Sequence, residues 1–298
     1  MSKFMAQTIK DRVAVGDDCF RLEQLTDGRT KITPSPDSVT EEGTDLNKAL
    51  LQPIVDSLEA LSTNIDCGEF ANFSLSQTSW EKINEISRLG LASECFKLGD
   101  EKNITLTTGE EITLVILGFN HDELSDGSGK AGITFGMKNL LATKYPMNLT
   151  DTNNGGWESS SMRLSTMATL LSYLPTELQS VIKRVNKKTA AGSELTTITT
   201  TADKLFLFAE VEIDNIRKSV YSKEGIQYEY WKSIKDGESL DNRIKYLANG
   251  REDAENWLIR SAGNSTVFKN SVRVINRSGG ISNGDSTLAF GVCFGFCV

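Results

Sequence analysis

The spacing of apolar positions changes several times along the chain, and each change marks an element. Residues 11–15 and 19–22 are short runs of strand character on either side of Gly16-Asp17-Asp18, and Thr26-Asp27-Gly28-Arg29 supplies a turn before residues 30–33. Short runs of this kind bounded by turn residues predict strands. Pro34-Ser35-Pro36-Asp37 then breaks the pattern into extended chain. From Thr44 the period lengthens. Leu46, Leu50, Ile54, Leu58 and Leu61 recur at helical spacing, with Thr44 or Asp45 as cap and Pro53 kinking the helix or starting its second half. The stripe is narrow. It reads as a seam against a second copy or a neighbouring protein, or as a face docked on the chain's own C-terminal part.

Residues 62–76 are rich in Ser, Asn and Thr and mark a boundary, giving a segment 1–65 and a domain 66–298. Thr78-Ser79-Trp80-Glu81 has the spacing of a capping box. It opens a helix with Trp80, Ile83, Ile86 and Leu89 on one face and Gly90 as its stop. Strands are expected over residues 104–107 and 111–119 with Gly109 between them, and a polar, glycine-bearing loop over 120–135. Met162, Met167, Leu170 and Leu171 predict a second helix, capped by a serine of 159–161; Pro175 opens a third, burying Leu178, Val181, Ile182 and Val185. Residues 196–208 are β-prone, and 254–298 supply three strands. The last of these, in the apolar run 288–298, is expected to lie in the middle of the core. No repeat of fixed period occurs. The fold class is α+β, an antiparallel sheet with flanking helices.

Composition narrows the partners. A net charge of -8 argues against nucleic acid, which needs a basic face. No stretch of eighteen apolar residues exists to span a membrane, and the N-terminus has no apolar signal-type region. The five cysteines, Cys19, Cys67, Cys95, Cys293 and Cys297, are odd in number and show no metal-type pairing. They read as reduced, mostly buried thiols of a protein folded in cytoplasm.

Two resemblances can be placed on particular phrases. The stretch 10–49, above all Val39-Thr40-Glu41-Glu42-Gly43-Thr44-Asp45-Leu46-Asn47-Lys48, resembles the N-terminal segment of tail-fibre and baseplate proteins from phages of Gram-positive gut bacteria. From Trp80 onward, Phe96-Lys97-Leu98-Gly99-Asp100, Gly118-Phe119-Asn120-His121-Asp122, Lys130-Ala131-Gly132-Ile133-Thr134-Phe135, Gly155-Gly156-Trp157, Asp203-Lys204-Leu205-Phe206-Leu207 and Trp257-Leu258-Ile259-Arg260-Ser261 resemble an uncharacterised domain family common in Firmicutes and their phages. That family is similar at its C-terminal end to the C-type-lectin-like fold, which also serves phage tropism determinants and the formylglycine-generating enzymes. The resemblance implies a C-type-lectin-like domain behind a small β-plus-helix attachment segment. It also implies a virion tail protein, made in the host cytoplasm and released by lysis. Its partners would be other tail or baseplate proteins, further copies of itself in a homotrimer, and a bacterial surface glycan or protein.

Candidate chemistry is sparse. His121 is the only histidine, so a His-based zinc site is nearly excluded and any Ser-His-Asp triad must use it. Beside Asp122 it reads as a loop anchor. Asn120, Asp122, Asp126 and Gly127-Ser128-Gly129 offer hard oxygen ligands, but not in EF-hand spacing, and a solvated turn is the preferred reading. Cys293 and Cys297, four apart on a strand, would stand roughly 13 Å from each other, too far to bridge. Neither a cofactor nor a metal is expected, and the chain reads as non-enzymatic.

Recognition residues are easier to nominate. Trp157 and Trp257 read as core residues whose following arginines, Arg163 and Arg260, hold loops; alternatively one ring lines a site. Tyr228, Glu229, Tyr230 and Trp231 form an aromatic cluster with both tyrosines on one face if the segment is a strand. The stretch 261–286 is rich in small polar residues, like the adaptable part of a paratope or like a plain hydrophilic loop with one hairpin. The expected ligand-binding set is Tyr228, Tyr230, Trp231, Arg260, Asn264, Ser282, Asn283 and Asp285, with the loop 150–160 beside it. This points to a tail-tip or tail-fibre receptor-binding protein. The alternatives are a purely structural baseplate or fibre component and, from the enzyme class, a cell-wall depolymerase or a divergent formylglycine-type oxidase.

Overall fold

The computed structural model describes residues 13–15, 20–24, 26, 28–34, 38–41, 74–192, 197–214, 221–232, 240–248, 250, 253–263 and 270–298. The chain divides into two units, Met1–Asp66 and Cys67–Val298. In the first, β1 (Val13–Val15) pairs antiparallel with β4 (Ser38–Glu41), and β2 (Phe20–Gln24) with β3 (Thr30–Pro34). The alternation of Phe20, Arg21, Leu22 and Glu23 and the Gly28 turn, at φ +82, produce the β2–β3 hairpin. The expected helix from Thr44 to Leu61, together with Cys19 and Cys67, lies outside the described residues.

The second unit is mixed α+β with antiparallel sheets and few helices. It opens with α1 (Trp80–Arg88), which buries Trp80, Ile83 and Ile86. The cap differs from the expected box. Ser79 is the N-cap, its Oγ accepting from Lys82 N–H at 3.2 Å, while Thr78 donates its hydroxyl to the Ser74 carbonyl. The hydroxyl one residue closer to the helix reaches the open backbone N–H, and Thr78 is left to close the preceding turn.

After α2 (Ala92–Cys95), a four-stranded antiparallel sheet forms from β5 (Glu101–Thr105), β6 (Glu111–Phe119), β7 (Ile133–Met137) and, from the far end of the chain, β13 (Gly295–Cys297). Its order is β13-β7-β6-β5. The expected loop over 120–135 is thereby corrected: its last residues begin β7, buried along its whole length. The polar residues that suggested a loop are confined to 120–130, and the hydroxyl of Thr134 is satisfied by Asp122 at 2.7 Å.

Helices α3 (Gly156–Ser159), α4 (Met167–Tyr173, led in by a π-turn at Met162–Thr166) and α5 (Thr176–Val181) follow. Helix α5 stops short of Val185, contrary to the pattern reading. Lys183 N–H bonds the Cys297 carbonyl at 2.9 Å, drawing the chain onto β13, and Val185 enters β8 (Val185–Ala190). Strand β8 pairs with β9 (Ile198–Asp203). Short helices α6 (Glu210–Ile213) and α7 (Glu229–Lys232) precede a three-stranded sheet of order β10-β11-β12, built from Trp257–Ala262, Ser271–Ile275 and Ile281–Asp285. With β13, residues 254–298 give four strands where three were expected.

Every residue from 291 to 298 is buried. The core joins the chain's distant parts: the Trp80 and Phe135 rings are 5.5 Å apart, and Phe135 stacks on Phe296 at 5.4 Å. Strand β13 ends the four-stranded order, but its outer side is occupied by bridges from Phe206 and Lys183. The final strand therefore has chain on both sides, as the apolar run 288–298 suggested.

Candidate recognition face and its buried ionic frame

Several charged side chains lie in the interior of the second unit, drawn from elements far apart in sequence. Asp122, at the end of β6, accepts from Lys187 Nζ of β8 at 2.6 Å, from Thr134 Oγ1 of β7 at 2.7 Å and from the Tyr228 hydroxyl at 2.9 Å. Lys187 also pairs with Glu212 of α6 at 2.8 Å. Glu212 takes a two-pronged contact from Arg260 of β10, at 2.6 and 2.8 Å. Arg260 completes its shell on backbone, donating to the Leu207 carbonyl at 2.8 Å and the Glu224 carbonyl at 3.0 Å. Glu224 accepts from Ala190 N–H at 2.8 Å and from the Ser261 hydroxyl. A buried charge costs several kcal/mol unless paired and fully hydrogen-bonded. Here each has partners, so the frame fixes α6, α7, β8 and β10 in register.

The electrostatics follow from this packing. Burial pushes the Asp122 carboxyl upward, but Lys187, His121 and the hydrogen bonds from Lys187 and Thr134 outweigh it and hold the group well below the usual range. Glu212 is likewise lowered, burial being outweighed by Arg260 and Lys187. Glu224 goes the other way: burial pushes it from 4.5 up to about 7, against the hydrogen bonds from Ala190 and Ser261. Burial also raises the Cys293 and Cys297 thiols, and lowers His121, which stacks on Tyr228 at 4.0 Å. A thiol pushed upward is a poor nucleophile. Cys297 spends its sulfur on weak contacts to Thr134 and Asp122, and the expectation of packed, inert cysteines fits this setting.

A pH dependence follows. Glu224 gains its proton more readily folded than unfolded, so its contribution is complete below about pH 4.5 and is lost as pH rises through about 7. The loss is about 3 kcal/mol at most. Asp122, Glu212 and His121 have the opposite sign, their contributions falling away as pH drops. Urea midpoints measured from pH 5 to pH 8 should decline for the parent relative to Glu224→Gln. Parallel curves for the two proteins would contradict the assignment.

The expected ligand-binding residues divide between this interior and the surface. Tyr228, Trp231 and Arg260 are corrected to interior positions, exposed by 0%, 1% and 1%. The segment is a helical turn and not a strand, so Tyr228 and Tyr230 do not share an exposed face. Tyr228 is consumed by Asp122 and His121, and Trp231 packs on Phe208 at 5.1 Å. Tyr230 is half-buried, with α7 against β6 and its ring beside Gly99. Asn264 lies outside the described residues.

Ser282, Asn283 and Asp285 are on β12, at the edge of its sheet, and Asn283 is exposed. Asn283 stands opposite Arg273, whose Nη1 donates to its Oδ1 at 2.7 Å, while Arg273 Nε donates to Glu210 at 2.7 Å. Glu210 N–H in turn donates to the Ser261 hydroxyl at 2.9 Å, joining the surface row to the buried frame. Ser282 pairs with Val274 and so points to the other side of the sheet. Asp285 accepts from Thr287 and Asn270, and Asn270 reaches Asp151. With Asn153 donating to the Ser271 carbonyl at 2.7 Å, this seats the loop 148–153 against β11 and β12. The structure thus brings the loop and the β12 residues together, and leaves Tyr230 in another neighbourhood.

Both tryptophans are interior. Trp157 Nε1 donates to Asp203 at 2.8 Å, and Arg163 pairs with the same carboxylate at 2.7 Å. The calcium reading of the 120–129 loop finds its oxygens engaged: Asp122 is in the frame, and Asp126 Oδ1 accepts from Ser128 N–H and Oγ–H. Among the described residues, no group of three His, Cys, Asp or Glu side chains is placed to hold a metal ion.

Sequence reasoning missed Lys187, Glu212, Glu224, Glu210 and Arg273. Lys187 carries one visible signal, an inward register in the alternation of Val185, Lys187 and Thr189. No curated protein and no solved structure matches the chain. Residues 131–298, from the approach to β7 through β13, match the family described as Domain of unknown function (DUF6273), and the chain belongs to that family.

Proposed function

We propose that the chain is a receptor-binding protein of a phage tail tip or tail fibre, with a C-type-lectin-like second unit that recognises a bacterial surface glycan or protein without chemistry. The N-terminal resemblance supports the tail placement. The segment 1–65 then serves attachment and trimer formation. The observation that carries the recognition reading is the row Asn283–Arg273–Glu210: a polar surface on an edge strand, continuous with a saturated ionic frame. Side chains held on a rigid scaffold lose little entropy on binding. The interior thiols and the fully occupied carboxylates fit binding better than catalysis.

Adsorption of the full chain to a panel of Gram-positive gut isolates tests this. Asn283→Ala and Asp285→Ala together should weaken adsorption by about tenfold while shifting stability by about 0.5 kcal/mol or less, as surface substitutions do. Unchanged adsorption by the double variant would refute the placement of the site. Release of reducing sugar from cell walls would favour the depolymerase alternative instead.

A further inference from the structure

A concavity that shares no residue with the β12 face lies between the C-terminal end of α1, the segment 124–132 and the turn leading into β8. It has a volume of about 600 Å3, and Arg88, Lys130, Lys183 and Arg184 line it against one acidic side chain, Asp126. That local excess of positive charge sits in a chain whose net charge is -8. Among the described residues neither Arg88 nor Lys183 forms an ion pair, and Lys130 reaches Glu123 only at 3.9 Å. Arg184 gives one Nη1 to the Ala202 carbonyl at 3.3 Å and keeps its other donors. Asp126 is turned onto its own loop by Ser128.

The floor is built, not incidental. Ser87 donates to a main-chain oxygen of Val298 at 2.5 Å, and among the described residues Val298 forms no ion pair with the cleft's cations. At Gly132 a Cβ would stand 2.3 Å from Ser87 Oγ, so only glycine lets the loop close against α1. A volume of this size falls in the range of small-molecule sites. The cations come from three separate segments, so one carboxylate or phosphate cannot meet them all. We propose that this cleft binds a small oligo-anion, a molecule bearing phosphate or carboxylate groups at two or more separated points. The lining contains no aromatic ring on which a nucleic-acid base could stack.

Calorimetry on the full chain at low ionic strength, with inorganic tripolyphosphate and citrate as probes, tests the inference. One or both should bind at a single site, weakening as salt is added. Tripolyphosphate alone would identify phosphate as the recognised group, citrate alone carboxylate. The double variant Lys183→Ala/Arg184→Ala should lose about tenfold or more in affinity, each charge-assisted contact being a strong one. Arg88→Ala should lose in the same direction, and Lys232→Ala, an exposed cation of α7, should not. All four substitutions sit on exposed or half-exposed side chains, and the Lys183 contact to β13 is made by backbone, so the fold persists. Binding of neither probe, binding indifferent to the double variant, or an oligonucleotide outcompeting both probes would overturn the proposal.

Discussion

Arg260→Ala is expected to cost about 3–5 kcal/mol of stability, a large fraction of the roughly 5–15 kcal/mol that holds an ordinary domain folded. The guanidinium is 1% exposed and donates to both Glu212 oxygens, to Thr189 Oγ1 at 3.0 Å, and to the carbonyls of Leu207, Lys188 and Glu224. Alanine leaves the Glu212 carboxylate buried with Lys187 as its one cationic partner among the described residues, and Lys187 is shared with Asp122. It also strands several carbonyls in a space too enclosed for ordinary hydration. Arg260→Lys should recover only part of the loss, because one ammonium cannot reproduce the fork. Urea unfolding followed by tryptophan fluorescence gives the measurement. A loss below about 1 kcal/mol, the size of a surface ion pair, would mean that Arg260 is not the keystone of the frame.

Trp257→Ala should be comparably damaging, about 3–5 kcal/mol, as for other buried aromatic truncations. Trp257 is completely buried, pairs with Ile275 in the sheet and donates Nε1–H to the Arg243 carbonyl at 2.9 Å. Its ring also lies 5.6 Å from Lys245 Nζ, an interior ammonium that donates to the Met137 and Lys138 carbonyls at 2.7 Å each. Removing the indole opens a cavity beside that charge and takes away its aromatic wall. Because the sequence alone also allowed a tryptophan to line a ligand site, the contrast with Asn283→Ala is informative. Folding should fail in one and adsorption in the other. A stable Trp257→Ala protein with impaired adsorption would reverse those roles.

The parts of the fold written in periodicity were legible. Helix α1 shows its buried stripe of Trp80, Ile83 and Ile86, and β6 and the terminal apolar run announce themselves. Strand β8 was hidden because Lys187 and Lys188 make it look polar, and only the partners of Lys187 explain why one lysine turns inward. Those partners, Asp122 and Glu212, are remote in sequence, and spacing carries no trace of such a pairing. The same limit misplaced Tyr228, Trp231 and Arg260: an aromatic cluster and a charged residue look like recognition groups until burial is known. By contrast Asn283 and Asp285 were visible as small polar residues near a turn, a signal that needs no distant partner.

The position of β13 has a consequence for how the molecule is made. Its partner strand β7 is synthesised long before it, and the Thr134–Cys297 contact spans 163 residues. Closing a loop of that length is entropically slow, and sheets built on remote pairings fold late. While residues up to 294 are emerging from the ribosome, β7 exposes an apolar strand with one unpaired edge, the kind of surface on which nascent chains stick together. Synthesis must therefore run past Cys297 before β7 gains its second neighbour and the sheet can seal.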